Sequence, residues 1–299
     1  MLITIFTPTF NRAHYLEQTF KSLCRQQGKE FEWLVIDDGS TDNTELLIED
    51  FSTKADFPVR YLRKKNGGKH TAYNLALEHA EGQLFFVLDS DDTIPDDFVN
   101  TVSQLYAEMA GDDSIGGAIA LISDHIGNLR GIRFADNLKT TLMTLIRKGY
   151  IGEYAFIFKT VPARRFRFPV IESEKYMPLR IVYDMFEEYQ FLAVNKILTI
   201  REYHTDGLSY SYNRHLVECP LGFMLFHKNR YLVAQSLSEK ISNAIAYCAF
   251  RCIARGKGLE TEDFNPLLVR IMSLPGTILA WRFKKNANRP LFGKTDTSE

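Results

Sequence analysis

Short apolar runs alternate with amphipathic segments through the first two hundred residues of the chain. Four runs are typical of buried strands, at 2–7, 31–36, 59–62 and 83–88. Between them, residues 13–27 and 71–80 place apolar side chains at helical spacing. Strand and helix recur about every 25–30 residues, a rhythm typical of βαβ units. The pattern therefore predicts an α/β fold with a mostly parallel sheet flanked by helices.

The second half of the chain has a mixed pattern that ends in helices. The predicted elements are a helix at 96–109, a strand at 117–122, a short helix at 140–148, strands at 154–159 and 191–200, and a helix near 178–188. From about residue 215 to 285 the pattern is helical, with 225–253 the longest stretch. We therefore expect one domain over 1–212 and a helical extension over 213–299.

Polar loops follow three of the predicted strands, at 8–12, 37–42 and 89–92. In open α/β sheets, ligands bind beyond the carboxyl ends of the strands. The repeated order of strand and polar loop is the first indication of a binding site.

The third loop, LDSDD at 88–92, carries Asp89, Asp91 and Asp92 directly after an apolar strand. Carboxylates this close repel one another and lose hydration near the core. A divalent cation such as Mg²⁺ or Mn²⁺ would remove the repulsion by taking their oxygens as ligands. The alternative is a solvated turn in which Asp92 caps the next helix. The preceding strand and the other polar loops favour the metal site.

Composition narrows the class of protein. The 299 residues are 45% hydrophobic and 24% charged, with a formal net charge of −1, which is ordinary for a globular protein and gives no field that attracts nucleic acid. Four scattered cysteines predict reduced structural thiols, and the alternative metal site at Cys248 and Cys252 lacks a second ligand pair. There is no signal-peptide pattern and no apolar run of about 18 residues, so we expect a cytoplasmic protein.

Three motifs together resemble the family 2 glycosyltransferases of the GT-A fold: IFTPTFNR at 5–12, VIDDGSTD at 35–42 and LDSDD at 88–92. Their order and spacing match the family over roughly residues 3–95. The loop NGGKHTAYN at 66–74 resembles one that is common in bacterial members. The resemblance implies a GT-A (Rossmann-like) fold whose nucleotide-sugar half spans about 1–95 and whose acceptor half spans about 96–212.

The resemblance also implies a reaction. Such enzymes move a sugar, hexosyl or N-acetylhexosaminyl, from a nucleotide-diphosphate donor to an acceptor hydroxyl and invert the anomeric centre. We expect a UDP-sugar donor and a carbohydrate or lipid-linked acceptor in bacterial cell-surface polysaccharide biosynthesis.

In the implied site, Asp91 binds Mg²⁺ or Mn²⁺, a Lewis acid for the leaving diphosphate. Asp89 holds the ribose or shares the cation through water. Asp92 and His204 complete the expected ligand set, although a histidine in a polar loop is also typical of a solvated side chain.

The resemblance assigns the nucleoside pocket to the first two loops. Thr7, Pro8 and Thr9 form its wall, and Asp38 accepts a hydrogen bond from the base. The alternative for Asp37 and Asp38 is a turn that caps the next helix. The neighbouring motif residues expected to contact the nucleotide sugar are Asn11 and Ser90.

Two basic residues are the phosphate candidates. Gly67 and Gly68 permit backbone N–H groups to approach an anion, and Lys69 adds a point charge. Arg12 could act in the same way from the first loop. The alternatives are a plain turn for the NGGK segment and a solvated helix start for Arg12.

Inversion needs a base that takes the proton of the acceptor hydroxyl. The family often has a Glu-Asp pair, and the matching stretch here is ESEK at 172–175, with Lys175 where the family often has Asp. Glu174 is the predicted base and Glu172 the reserve. The alternative is a surface charge run.

The C-terminal region admits two interpretations. Residues 251–290 are mainly basic and include Trp281 among apolar residues at helical spacing. Such a segment is typical of a helix on an anionic membrane surface, here the inner face of the cell membrane. The favoured interpretation is a helix packed on the catalytic domain with its charges in water.

Two other functions compete with glycosyl transfer. A sugar-nucleotide nucleotidyltransferase would need a glycine-rich N-terminal loop, and residues 7–12 contain no glycine. A non-catalytic nucleotide-sugar-binding protein would be expected to have lost its metal motif, and LDSDD is intact.

Overall fold

The computed structural model describes residues 1–135, 138–150, 152–178, 184–185, 188–202, 204, 207, 210–255 and 264–289. The chain forms two compact units. The first comprises residues 1–168 and 179–202, and the second comprises 169–178 and 203–299. The predicted division at residue 212 stays a prediction.

The first unit contains one eight-stranded sheet, in the order β3-β2-β1-β4-β7-β5-β8-β6. Its strands are β1 Ile3–Thr9, β2 Phe31–Asp37, β3 Val59–Arg63, β4 Leu84–Val87, β5 Ile115–Ser123, β6 Leu138–Thr140, β7 Tyr154–Lys159 and β8 Gln190–Ile200. Strands β1 to β4 pair in parallel, whereas β7 runs antiparallel to both of its neighbours. Strand β8 pairs in parallel with β5, and β6 is antiparallel to β8.

Helices connect the parallel strands as the alternating pattern predicts. In the first unit these are α1 Ala13–Cys24, α2 Thr44–Lys54, α3 Lys69–His79, α4 Phe98–Met109, α5 Leu142–Arg147 and α6 Thr160–Ala163. Every residue of β2 is buried, as expected for a central parallel strand covered on both faces. Phe20 of α1 stacks on Phe51 of α2 with ring centroids 4.2 Å apart, and both belong to the main core.

The second unit is helical over its described residues. Its helices are α7 Tyr212–Glu218, α8 Pro220–Val233, α9 Leu237–Ile253 and α10 Pro266–Asn286. A separate core of residues such as Phe223, Tyr247 and Phe250 joins them. No helix within the described residues is both long and apolar enough to cross a membrane.

The predicted fold class, a mixed and mostly parallel sheet with a helical C-terminal region, is confirmed. One element prediction was wrong and one strand was missed. The stretch 225–253 is not one helix, because Ser236 begins α9 with a capping box in which its side chain and that of Glu239 bind each other's backbone N–H. Strand β6 was missed because three residues are too few for a periodicity. The helix predicted near 178–188 lies mostly outside the described residues.

Candidate functional site

The three polar loops lie at one edge of the sheet. Strands β1, β2 and β4 are parallel neighbours, with β1 between the other two. Their carboxyl ends therefore meet, at Thr9, Asp37 and Val87. The three polar loops that follow these strands are therefore neighbours in the fold.

The first and second loops are fastened together around Asn11. Its backbone N–H donates to Ser40 Oγ at 2.8 Å, and its side-chain oxygen accepts from Thr41 N at 2.7 Å. Asn11 has a φ of 54°, a left-handed conformation that Asn tolerates better than most residues. The exposed Asn11 thus holds the two loops in register, and its predicted contact with the nucleotide sugar stays a prediction.

Two ion pairs tie the aspartate loop to other parts of the edge. Arg12 Nη1 lies 2.5 Å from Asp91 Oδ2, and Lys69 Nζ lies 2.5 Å from Asp89 Oδ1. Arg12 and Lys69 are the two residues that the sequence analysis predicted to bind phosphate. Two of the three predicted metal carboxylates, Asp89 and Asp91, are therefore each paired with a predicted phosphate-binding cation.

Asp38 organises the glycine loop. Its carboxylate accepts hydrogen bonds from Gly67 N at 2.9 Å and Gly68 N at 2.6 Å, and Lys64 Nζ contacts Oδ1 at 2.5 Å. Gly68 has a φ of 94°, which strongly favours glycine at this position. The structure therefore gives Asp38 a loop-anchoring role, while its hydrogen bond to a nucleobase stays a prediction.

Asp37 points into a different network. Its Oδ1 accepts from Ser40 N at 2.8 Å, and its Oδ2 accepts from the Tyr61 hydroxyl at 2.6 Å. Burial and the neighbouring Asp37 carboxylate raise the pKa of Tyr61. Asp37, a buried aspartate at the end of β2, thus fixes the start of the second loop.

Asp92 is the most buried carboxylate of the LDSDD segment. Arg201 Nε donates to its Oδ2 at 3.1 Å, and Arg201 also contacts Glu153. Burial raises the pKa of Asp92 to about 7, and Asp89 and Asp91 add to this rise while Arg201 opposes it. Asp92 is therefore harder to ionise than a solvent-exposed aspartate.

Asp89 behaves in the opposite way. Burial alone would raise its pKa, but the cationic groups of Lys69, Arg201 and Arg12 outweigh burial and hold the pKa below its usual value. Asp89 is thus ionised at neutral pH, as a ligand for a hard cation must be.

The expected ligand set is only partly assembled. Among the described residues, no three carboxylate, imidazole or thiol side chains converge as they would around a metal ion. Asp89 and Asp91 are the oxygen donors best suited to Mg²⁺ or Mn²⁺, because both are partly exposed and held by long basic side chains. Asp92 is held by Arg201 instead, and His204 belongs to the second unit.

The residues predicted to line the nucleoside pocket lie at the end of β1. The Thr7 hydroxyl is committed to the core, where it accepts from Trp33 Nε1 at 2.9 Å. Pro8 is half-buried, and Thr9 is buried with no hydrogen-bond partner for its hydroxyl among the described residues. Ser90 is buried, and its carbonyl accepts from the Thr19 hydroxyl at 3.0 Å.

Helix α3 begins directly after the glycine loop and carries two buried polar side chains. Within the described part of the chain, neither ring nitrogen of His70 has a hydrogen-bond partner, and the Tyr73 hydroxyl has none either. Burial lowers the pKa of His70 to about 4, despite the opposing charge of Asp38. Asn74 completes this face of α3 by donating to Phe168 O and accepting from Phe168 N, both at 2.9 Å.

The base candidates lie in the second unit. Both carboxylate oxygens of Glu174 accept backbone hydrogen bonds at 2.7 Å, from Leu221 N and Gly222 N at the start of α8. Glu174 is buried, whereas Glu172 and Lys175 are exposed. The structure thus shows a capping role for Glu174, and the choice of base stays a prediction.

Two residues of the site were missed in the sequence. Lys64 binds Asp38, and Arg201 binds Asp92. Lys64 directly follows β3 at the same edge, so the rule that located the other loops could have found it. Arg201 follows β8, and only the tertiary structure brings it to a carboxylate 109 positions earlier.

A family model described as Glycosyl transferase family 2 matches residues 4–167. Among curated proteins, TarS of Staphylococcus aureus, a poly(ribitol-phosphate) beta-N-acetylglucosaminyltransferase, is 36% identical over 96 residues, which are 31% of this chain and 17% of TarS. The glycosyltransferase GlyG of Streptococcus pneumoniae is 32% identical over 116 residues, 38% of each chain. The chain thus matches less than two fifths of either relative.

Solved structures share the fold at low sequence identity. Residues 1–349 of TarS in complex with UDP-GlcNAc superpose with a TM-score of 0.61 and 21% identity, over 96% of this chain and 81% of that one. The mannosyltransferase PcManGT of Pyrobaculum calidifontis, in complex with GDP-Man and Mn²⁺, gives 0.55 and 16%, over 95% and 82%. Since the family model covers more than half of the residues, the chain belongs to glycosyltransferase family 2.

Proposed function

We propose that this chain is an inverting glycosyltransferase that takes a sugar from a nucleotide-diphosphate donor, with a UDP-sugar as the first choice. One observation carries the proposal: carboxylates and cations from four loops are interlocked at the carboxyl edge of the sheet. The two structural relatives described above were solved with UDP-GlcNAc and with GDP-Man, which supports this class of donor.

The ion pairs suit an exchange of partners when the donor binds. A diphosphate carries the charge that Arg12 and Lys69 can bind, and both side chains reach the site from flexible stems. Their departure would leave Asp91 and Asp89 as oxygen ligands for Mg²⁺ or Mn²⁺. A bound cation would act as a Lewis acid that neutralises the leaving diphosphate. Asp92 and His204 stay predicted members of the ligand set.

Other side chains then have defined tasks. The rigid loops held by Asp37 and Asn11 form the wall of the nucleoside pocket together with Pro8. The Thr9 hydroxyl, which has no hydrogen-bond partner in the part of the chain that the structure describes, is a polar atom available at this end of β1. The acceptor hydroxyl loses its proton to a carboxylate as the glycosidic bond breaks, and Glu174 and Glu172 stay the candidates for that base.

The acceptor and the setting complete the proposal. We infer a carbohydrate or lipid-linked acceptor in cell-surface polysaccharide synthesis, with the enzyme in the cytoplasm. TarS is a poly(ribitol-phosphate) beta-N-acetylglucosaminyltransferase, and a hydroxyl-bearing polymer of that kind supports the class of acceptor.

Thermal stability measured against UDP-, GDP-, CMP- and dTDP-sugars, each with and without Mn²⁺, tests the donor assignment. We expect one nucleotide class to raise the melting temperature, and to do so mainly when Mn²⁺ is present. The absence of any shift across the whole panel would contradict the proposal, as would an equal shift in excess EDTA.

A further inference from the structure

Helix α10 presents a continuous apolar stripe to solvent. Five large side chains on it are 54–73% exposed: Leu267, Ile271, Leu274, Ile278 and Trp281. They are spaced by four, three, four and three residues, so they form one line along the helix. Burial of such a stripe is normally what stabilises an amphipathic helix, and a contiguous exposed patch of this kind marks an interaction surface.

The opposite face of α10 is already used for packing within the second unit. Val269, Gly276 and Ala280 are buried. A side chain on Gly276 would meet Cys248 Cβ at 2.5 Å, so this glycine allows α10 to approach α9 closely. The helix is therefore fixed through one face, and the exposed stripe is left on the other.

Charge distinguishes between possible partners for the stripe. Residues 264–289 contain no Asp or Glu and five basic residues: Arg270, Arg282, Lys284, Lys285 and Arg289. On a helix of 3.6 residues per turn, Arg270 and Arg282 lie on the two sides of the stripe. Lys285 Nζ lies 5.1 Å from the centre of the Trp281 ring, at the end of the same line. An apolar centre with basic flanks is complementary to an anionic surface.

A second copy of the helix fits this pattern poorly. The spacing of four and three residues is that of a coiled-coil seam, in which the flanking positions of two helices face each other. Here those flanks carry Arg270, Arg282 and Lys284, so a paired seam would oppose like charges. Pro275 lies on one of these flanks and carries no charge that could offset the arginine and lysine charges.

We infer that α10 is a membrane-surface helix that lays its stripe into the interface of a bilayer rich in anionic lipid. The apolar residues enter the headgroup and acyl boundary, Trp281 anchors at the interface, and the arginine and lysine side chains contact lipid phosphates. The inference concerns a surface outside the sheet edge, so it stands independently of the proposed catalytic function.

Vesicle flotation with the full chain tests the inference. We expect the protein to float with phosphatidylglycerol-containing vesicles, to float weakly with pure phosphatidylcholine, and to be released by salt. The double change Leu274→Ser/Ile278→Ser should lower the partition coefficient at least about tenfold. The loss of one large buried apolar side chain is by itself enough for a decrease of about that size. Arg270→Gln/Arg282→Gln should lower it by about fivefold per charge and only on anionic vesicles.

Matched controls keep the test specific. Leu46→Ser removes an equally exposed leucine from α2, and Lys21→Gln removes an exposed lysine from α1; neither should change flotation. Circular dichroism of each variant checks that α10 remains folded. Failure of the wild-type chain to float on anionic vesicles at low salt would overturn the inference. So would a dimer in light scattering that the Leu274→Ser/Ile278→Ser change abolishes while flotation stays unchanged.

Discussion

Asp91 is paired only with Arg12 among the contacts described above, and both side chains are more than four fifths buried. A buried carboxylate in that position costs free energy unless a positive charge lies beside it both before and after the donor binds. We expect Asp91→Asn to abolish Mn²⁺-dependent binding of the nucleoside diphosphate, because an amide is a poor ligand for a hard cation. Calorimetric titration with and without Mn²⁺ measures this. Asp96→Asn, at an exposed carboxylate paired with Arg25, is the control and should bind normally.

Lys69 and Lys65 offer a matched pair in the same loop. Lys69 lies on Asp89, whereas Lys65 is exposed. If Lys69 binds the diphosphate, Lys69→Ala should weaken donor affinity by about 1.5–3 kcal/mol, the usual contribution of a hydrogen bond to a charged group. Lys65→Ala should leave the affinity unchanged. Equal affinities of the two variants would remove Lys69 from the phosphate site.

His70 predicts an acid-sensitive stability. Its pKa is lowered by burial to about 4 in the folded chain, against about 6.5 in the unfolded chain. Between these values the unfolded chain binds a proton that the folded chain does not, so the free energy of unfolding falls as the pH drops from 6.5 towards 4. The loss can reach about 3 kcal/mol.

Denaturant unfolding across this pH range tests the assignment. His70→Leu should flatten the pH profile below 6.5, whereas His79→Gln, at an exposed histidine, should keep the wild-type slope. An unchanged slope in His70→Leu would show that the acid sensitivity comes from other groups.

The sequence pattern identified the aspartates of the site, but it did not identify which basic residue binds each of them. Asp89, Asp91 and Asp38 could be singled out because each follows an apolar strand. The pairing of Asp91 with Arg12 spans 79 positions and that of Asp92 with Arg201 spans 109, and nothing in local spacing encodes such contacts. The burial of Asp92, which raises its pKa, was likewise beyond the sequence pattern.

At the scale of elements, Glu174 acts on a helix end. Its two hydrogen bonds satisfy backbone N–H groups at the start of α8, where the helix dipole also favours a negative charge. Glu174→Gln keeps one acceptor but turns an amide NH₂ towards a backbone donor. We expect it to lower the free energy of unfolding by about 1–3 kcal/mol. Denaturant titration measures this directly, and an unchanged stability would show that the cap contributes nothing.

Turnover of the two glutamine variants separates capping from catalysis. Glu172 is exposed, so Glu172→Gln should leave stability unchanged. The variant that removes the base should lose about 10²–10⁴ in rate with donor affinity retained. Loss of turnover in neither variant would move the search to another carboxylate, such as Asp184.

Elements with a strong period were predictable and those set by caps or neighbours were not. The strands that became β1, β2 and β4 were found within one or two residues because their apolar runs are continuous. The break between α8 and α9 depends on the Ser236 cap, whose signal is a single serine followed three residues later by Glu239. Strand β6 exists only through its pairing with β8.

At the scale of the whole molecule, the chain combines two units with separate cores. The first bears the interlocked loops, and the second bears the capped helix α8 and the exposed stripe of α10. The three motifs on which the function was predicted all lie in the first of these. The second unit carries few recognisable motifs, because many different apolar side chains of similar size can fill the contacts between packed helices.

The central claim is that the sheet edge performs metal-dependent sugar transfer. Nuclear magnetic resonance of a UDP-sugar incubated with the chain, Mn²⁺ and a set of carbohydrate and glycolipid acceptors measures release of the nucleoside diphosphate most directly. We expect release to stop in EDTA and in Asp91→Asn, with the transferred sugar inverted at its anomeric carbon. Release that continues unchanged in EDTA and in Asp91→Asn would contradict it.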